Sequence, residues 1–226
     1  MSTASPAASA LLAVRSPQLL DALAAPFRDA GWTAVAAGQG VGDRAAAAAS
    51  CPGLEFCRAN LQTPQGRDEA VAAATRDGRQ LALLLCEVPP SGLADEALLH
   101  VDAPTADALI ESGMRTPFFL TQTLARRWAA DAGAAAPWQR RVLYLAPESA
   151  TWGPPPHRDP ELNSTAATVL TRLWALRLAE LHAAVYELRG PDETSSDGWA
   201  RLGRLAFELG TGGLSYATGN VFTAGR

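Results

Sequence analysis

Acid–base, nucleophilic and metal chemistry each need particular side chains, and this chain carries few of them. Its three histidines, His100, His157 and His182, are scattered, and no HExxH-type pair sets two of them on one helix face. Cys51, Cys57 and Cys86 are an odd number at spacings that suit neither zinc nor a disulfide framework, so they read as reduced thiols. All 19 basic residues are arginine. Without a lysine, Schiff-base chemistry, a P-loop lysine and a Tyr/Lys proton relay are excluded in this chain alone. Gly38-Gln39-Gly40-Val41-Gly42 is the only glycine cluster resembling a phosphate loop, but it follows the second expected strand and reads as a flexible loop. What is left is Tyr144, Glu148, Ser149 and His157, on or just after one apolar run. Glu148 and His157 form an acid/base pair if the proline loop Thr151 to Pro160 folds back; otherwise they are solvated loop residues.

The elements that would position these groups alternate regularly. Apolar runs at Ala10–Val14, Trp32–Ala37, Leu54–Ala59, Leu81–Cys86, Arg141–Ala146, Ala184–Leu188 and Asn220–Phe222 read as about seven strands. Between them fall helices at Gln18–Ala30 (closed by Gly31), Arg44–Ala49, Arg67–Asp77, Thr105–Ser112, Phe118–Ala130 and Ser164–Leu181. Strands and helices in alternation imply βαβ units, hence one α/β domain over residues 1–226, a Rossmann-type doubly wound parallel sheet with helices on both faces.

The helix Ser164–Leu181 carries two adjacent apolar stripes. Val169, Leu173 and Leu176 form one; Leu170, Trp174, Leu178 and Leu181 form the other. Together they exceed what one sheet-facing side needs, and Phe118, Phe119, Leu120, Leu124 and Trp128 make a similarly heavy surface earlier. The surplus is buried either inside the domain or against a second subunit.

Composition sets the outer bounds. The 226 residues are 48% apolar with a formal net charge of −4. Such a chain buries a sizeable core and lacks the positive field that nucleic acid or an anionic membrane requires. The first residues, Met1 to Ala13, lack a basic leader, and the run Leu81–Cys86 is too short to span a bilayer. A cytoplasmic protein is expected.

The second half resembles a known family. PFFLTQTLARRW (Pro117–Trp128), RRVLYLA (Arg140–Ala146), LTRLWALRLAE (Leu170–Glu180), VYELR (Val185–Arg189) and GGLSYATGNVFTAG (Gly212–Gly225) resemble, in order and spacing, segments of the short-chain dehydrogenases/reductases. The resemblance is specific from Gly113 onward. It implies an NAD(P)-dependent oxidoreductase scaffold that forms dimers or tetramers. It also implies a catalytic Tyr, a Lys four residues on, a Ser that binds the carbonyl and an Asn that completes the proton path. Here the Tyr position falls at Pro160, the Lys position at Ser164, the Ser position at about Pro147 (Ser149 lies two further) and the Asn position at about Gly113.

The cofactor side departs as well. The stretch after the first strand, Ala13 to Leu20, has no glycine, so side chains fill the space a pyrophosphate occupies. The family's NNAG stretch appears as Leu85, Cys86, Glu87 and Val88, the adenine-contacting acid falls near Asn60, and the PG turn reads Gly190-Pro191. The resemblance therefore implies no cofactor and no metal. It implies a pseudoenzyme kept as a structural or regulatory subunit, in a homo-oligomer or a hetero-oligomer with an active paralogue. Phe118, Trp128, Leu170, Trp174, Leu178 and Tyr216 are the expected interface, and Trp174→Arg or Leu178→Asp is expected to break it. Two alternatives stand beside this reading. One is an NAD(P)-dependent oxidoreductase or other enzyme with an atypical site built on Tyr144, Glu148, Ser149 and His157. The other is a small-molecule sensor, whose cleft Arg15, Gln18, Leu20 and Glu87 would otherwise fill.

Overall fold

A computed structural model describes residues 7–15, 17–39, 54–88, 102–131, 139–146, 160–190, 196–212 and 218–224, with residues 105, 108, 109, 112 and 160–165 described by backbone alone. The apolar runs become seven parallel strands: β1 (Ala8–Ala13), β2 (Thr33–Ala37), β3 (Leu54–Cys57), β4 (Gln80–Glu87), β5 (Arg140–Ala146), β6 (Ala183–Arg189) and β7 (Val221–Thr223). They form one sheet in the order β3-β2-β1-β4-β5-β6-β7. The chain builds outward from β1 to β3 and then returns to the other side of β1, so the order reverses between β1 and β4.

Side-chain alternation along each strand divides the core into two layers. Leu11, Ala13, Leu84, Cys86, Val142, Tyr144 and Val185 face one side, where α2 (Pro64–Ala74), α4 (Thr116–Ala130) and α5 (Pro160–Leu178) cover them. Leu12, Leu83, Leu85, Leu143, Leu145, Tyr186 and Leu188 face α1 (Pro17–Asp29) and α6 (Ser196–Thr211). A register shift between Ser9 and Ala10 lets Leu81 and Leu83 serve opposite layers.

Several helix boundaries differ from those expected. α2 begins at Pro64 rather than Arg67, because the Thr63 hydroxyl accepts the Gly66 amide at 3.1 Å and proline fits the first turn. The expected helices 105–112 and 118–130 are one helical run. Its first part, α3 (Ala103–Ile110), passes through a π turn (Glu111–Arg115) directly into α4. α5 begins four residues before Ser164 and ends through a 3-10 turn (Ala179–Leu181) at His182, whose φ of 50° closes it. α6 was not among the expected elements. It packs along α1, and a Cβ on Gly203 would sit 2.3 Å from the Ala22 carbonyl oxygen. The expected helix 44–49 and the glycine loop beyond Gln39 lie outside the described residues.

Candidate functional site

In an open parallel sheet, ligands sit outside the carboxyl ends of the strands at the point where strand order reverses. Here that point is the pair of ends Ala13-Val14-Arg15 and Glu87-Val88. The Arg15 amide donates to the Glu87 carboxylate at 2.5 Å. Glu87 is buried, and Val14, Leu19 and Leu20 beside it are buried as well. Of the residues expected near this cleft, Arg15 and Gln18 are exposed, whereas Leu20 points into the core under α1.

A second polar group lies at the ends of β5 and β6. Cys86, Tyr144 and Glu187 are register neighbours across β4, β5 and β6 and share one face of the sheet. The Tyr144 hydroxyl lies 2.6 Å from that of Thr121 on α4, which is also hydrogen-bonded to the Pro117 carbonyl oxygen at 2.9 Å. Tyr144 is fully buried, and that burial pushes its hydroxyl well above the usual range. Desolvation likewise pushes the Cys86 thiol up to about 12, so it is inert rather than nucleophilic. The atypical-site alternative needs Tyr144 open to chemistry, whereas it is sealed against Thr121 on α4, a partner that no sequence motif announces.

Glu187 is completely buried yet fully engaged. It accepts from Thr168 Oγ1 at 2.6 Å and from Arg189 Nε at 3.0 Å. Charge-assisted donors of this kind are what a buried carboxylate requires. This trio was missed in the sequence, although a glutamate inside the apolar run VYELR is itself a signal. Thr171, one turn along α5 from Thr168, is buried without a partner for its hydroxyl.

Of the family positions, Gly113 lies in the π turn, with open space where a Cβ would be. Pro160 and Ser164 lie in the first turns of α5, where only the backbone is described, and Pro147, Glu148, Ser149, His157 and Tyr216 lie outside the described residues. No group of metal-binding side chains occurs among the described residues. No described helix is long and apolar enough to cross a membrane.

The two stripes of α5 separate cleanly. Leu170, Trp174 and Leu178 are buried in the chain's own core, as is Trp128 on α4, whose indole donates to the Leu81 carbonyl at 2.7 Å. Phe118 packs its ring 5.1 Å from that of Trp174. These five expected interface residues therefore serve the internal core, because α4 and α5 turn them toward the sheet. The outward stripe is Val169, Leu173 and Leu176; α5 also contacts the π turn carrying Met114, with Ile110 just before it.

No family model and no curated protein sequence matches the chain. Solved structures do. A 3-ketoacyl-(acyl-carrier-protein) reductase from Brucella melitensis, solved with NADH, is similar at a TM-score of 0.77 and 16% identity, over 97% of each chain. A short-chain dehydrogenase/reductase from Serratia marcescens BCRC 10948 gives 0.76 at 16% identity, over 98% of this chain and 97% of that one. A Sinorhizobium meliloti 1021 chain assigned to the same family gives 0.75 at 21% identity, over 99% and 96%. Strand order, crossover point and near-complete coverage agree: the chain has the fold of the short-chain dehydrogenases/reductases.

Proposed function

We propose that the chain is a catalytically inactive relative of the short-chain dehydrogenases/reductases, serving as a structural or regulatory subunit that assembles with itself or with an active paralogue. The observation that carries this reading is the hydrogen bond from the Arg15 amide to the Glu87 carboxylate. At this crossover the backbone amides after β1 would cradle a dinucleotide's pyrophosphate. One of them is already engaged by an anion of the chain itself. A phosphate brought within ~4 Å of that carboxylate meets a repulsion of about 1 kcal/mol in water, and about 4 kcal/mol at the effective dielectric of a protein surface. The residues present therefore do not fit a dinucleotide. The absence of lysine supports inactivity as well, because the position of the family's relay lysine is Ser164, which cannot supply a fixed positive charge.

Assembly is supported by the outward stripe of α5 with Ile110 and Met114, all substantially exposed on neighbouring elements. The competing reading is an NAD(P)-dependent oxidoreductase with an atypical site. It draws on neighbours such as the Brucella reductase and requires a dinucleotide to bind despite Glu87. Purifying the tagged chain from its native host and weighing the complex by native mass spectrometry separates the two. A stoichiometric complex, with a second copy or a paralogue bearing an intact Tyr/Lys pair, is expected. A monomer that transfers hydride by itself would overturn the proposal.

A further inference from the structure

The opposite end of the sheet, away from the crossover, holds a cavity of about 210 Å³ between the amino ends of β4 and β5, the end of α4 and the turn after α2. Arg79, Gln80, Arg127, Trp128, Asp131 and Arg140 line it. Two of the three guanidinium groups are neutralised: Arg79 by Glu55 at 2.8 Å and Arg127 by Asp131 at 2.9 Å. Arg140 is not. It is 6% exposed, and among the described residues its terminal nitrogens donate to the carbonyl oxygens of Trp128 and Asp131, at 2.9 and 3.0 Å. Those bonds cap the end of α4 and account for two of its donor groups, but not for its charge. Its Nε has no partner, and neither does Nε2 of Gln80; both atoms are buried.

A desolvated cation that shares its one nearby carboxylate, Asp131, with Arg127, and two buried donors without acceptors, are each costly. Both deficits have the same sign, since every missing partner is an acceptor and the missing charge is negative. The residues of segment 132–138, which joins α4 to β5, include no Asp or Glu. We propose that this cavity binds a compact oxyanion, of the phosphate or carboxylate class, through Arg140 and Gln80 against the Trp128 wall. Asp131 remains on Arg127 and limits the site to one small anion.

The test is calorimetric titration of the full chain with inorganic phosphate and, separately, with acetate, at constant ionic strength balanced by chloride. Saturable one-to-one binding of at least one of them, absent with chloride, is expected, and the stronger of the two identifies the anion class. Gln80→Glu is the diagnostic variant, because it swaps a donor for an acceptor and adds the missing negative charge. It is expected to weaken binding about tenfold or more and to raise the melting temperature in anion-free buffer. Gln80→Met removes only the donor and is expected to fall between. No saturable binding by the parent, or unchanged binding in Gln80→Glu, overturns the proposal.

Discussion

The outward stripe of α5 allows assembly to be separated from folding. Fully burying a leucine or valine side chain contributes about 2 kcal/mol. Leu176, Leu173 and Val169 are 79%, 38% and 47% exposed in the isolated chain. Weighted in that way, the stripe holds about 3 kcal/mol per chain, and about 6 kcal/mol across a two-fold pair. Leu176→Glu alone forfeits about 3 kcal/mol of the pair's total, about a hundredfold in dissociation constant before any cost of burying the charge. The same substitution should alter the stability of the isolated chain by no more than about 0.5 kcal/mol, because the position is solvated there. Trp174→Arg is different: Trp174 is 7% exposed, and its loss costs the fold itself about 3–5 kcal/mol. Sedimentation velocity over a concentration series, with thermal denaturation of each variant, reads both quantities. Leu176→Glu should dissociate the assembly yet melt cooperatively at the temperature the parent shows when diluted to monomer, whereas Trp174→Arg should unfold the chain. If Leu176→Glu and Leu173→Glu both keep the parent's mass, the interface does not lie on this face.

Three further outcomes are expected. Tyr144→Phe should cost about 1 kcal/mol in chemical denaturation, because the Thr121 hydroxyl keeps its bond to Pro117 and only one buried partner is lost. Stability should fall above pH 9. The Cys86 thiol ionises near 9 when unfolded but only near 12 when folded, so the unfolded chain loses its proton first and gains about 1.4 kcal/mol per pH unit between those values. Tyr144 acts in the same direction at higher pH, and Cys86→Ala should flatten the lower part of the slope in a pH series of melts. Gly203→Ala should destabilise by about 1–3 kcal/mol, since its Cβ would collide with the Ala22 carbonyl and push α6 off α1; an unchanged melting temperature would contradict that packing.

The central strands were legible because they are nearly uninterrupted apolar runs buried on both faces, as LALLLC at Leu81–Cys86 illustrates, whereas the edge strands β3 and β7 are only partly buried. α6 was passed over although Trp199, Leu202, Ala206 and Leu209 repeat at helical spacing. Gly198, Gly203 and Gly210 punctuate it, and two of these glycines are places of close packing rather than breaks. Gly113 and Pro117 likewise suggested a gap between two helices, where a π turn carries the chain through with proline in the next helix's first turn. Which stripe of α5 faces the sheet could not be read locally, since periodicity fixes the faces but not their orientation. The engagement of Arg15 by Glu87 spans 72 residues of sequence and depends on β1 and β4 being neighbours. The chemistry excluded by the missing lysine, by contrast, was evident from composition alone.

Equilibrium titration of the purified chain with NADH and NADPH tests the central claim most directly. With the Arg15 amide engaged by Glu87, neither dinucleotide should bind saturably up to millimolar concentration, and Glu87→Gln should leave that unchanged because no glycine opens the turn between Ala13 and Leu20. Stoichiometric binding of either dinucleotide at micromolar concentration would contradict the account and return the chain to the oxidoreductases.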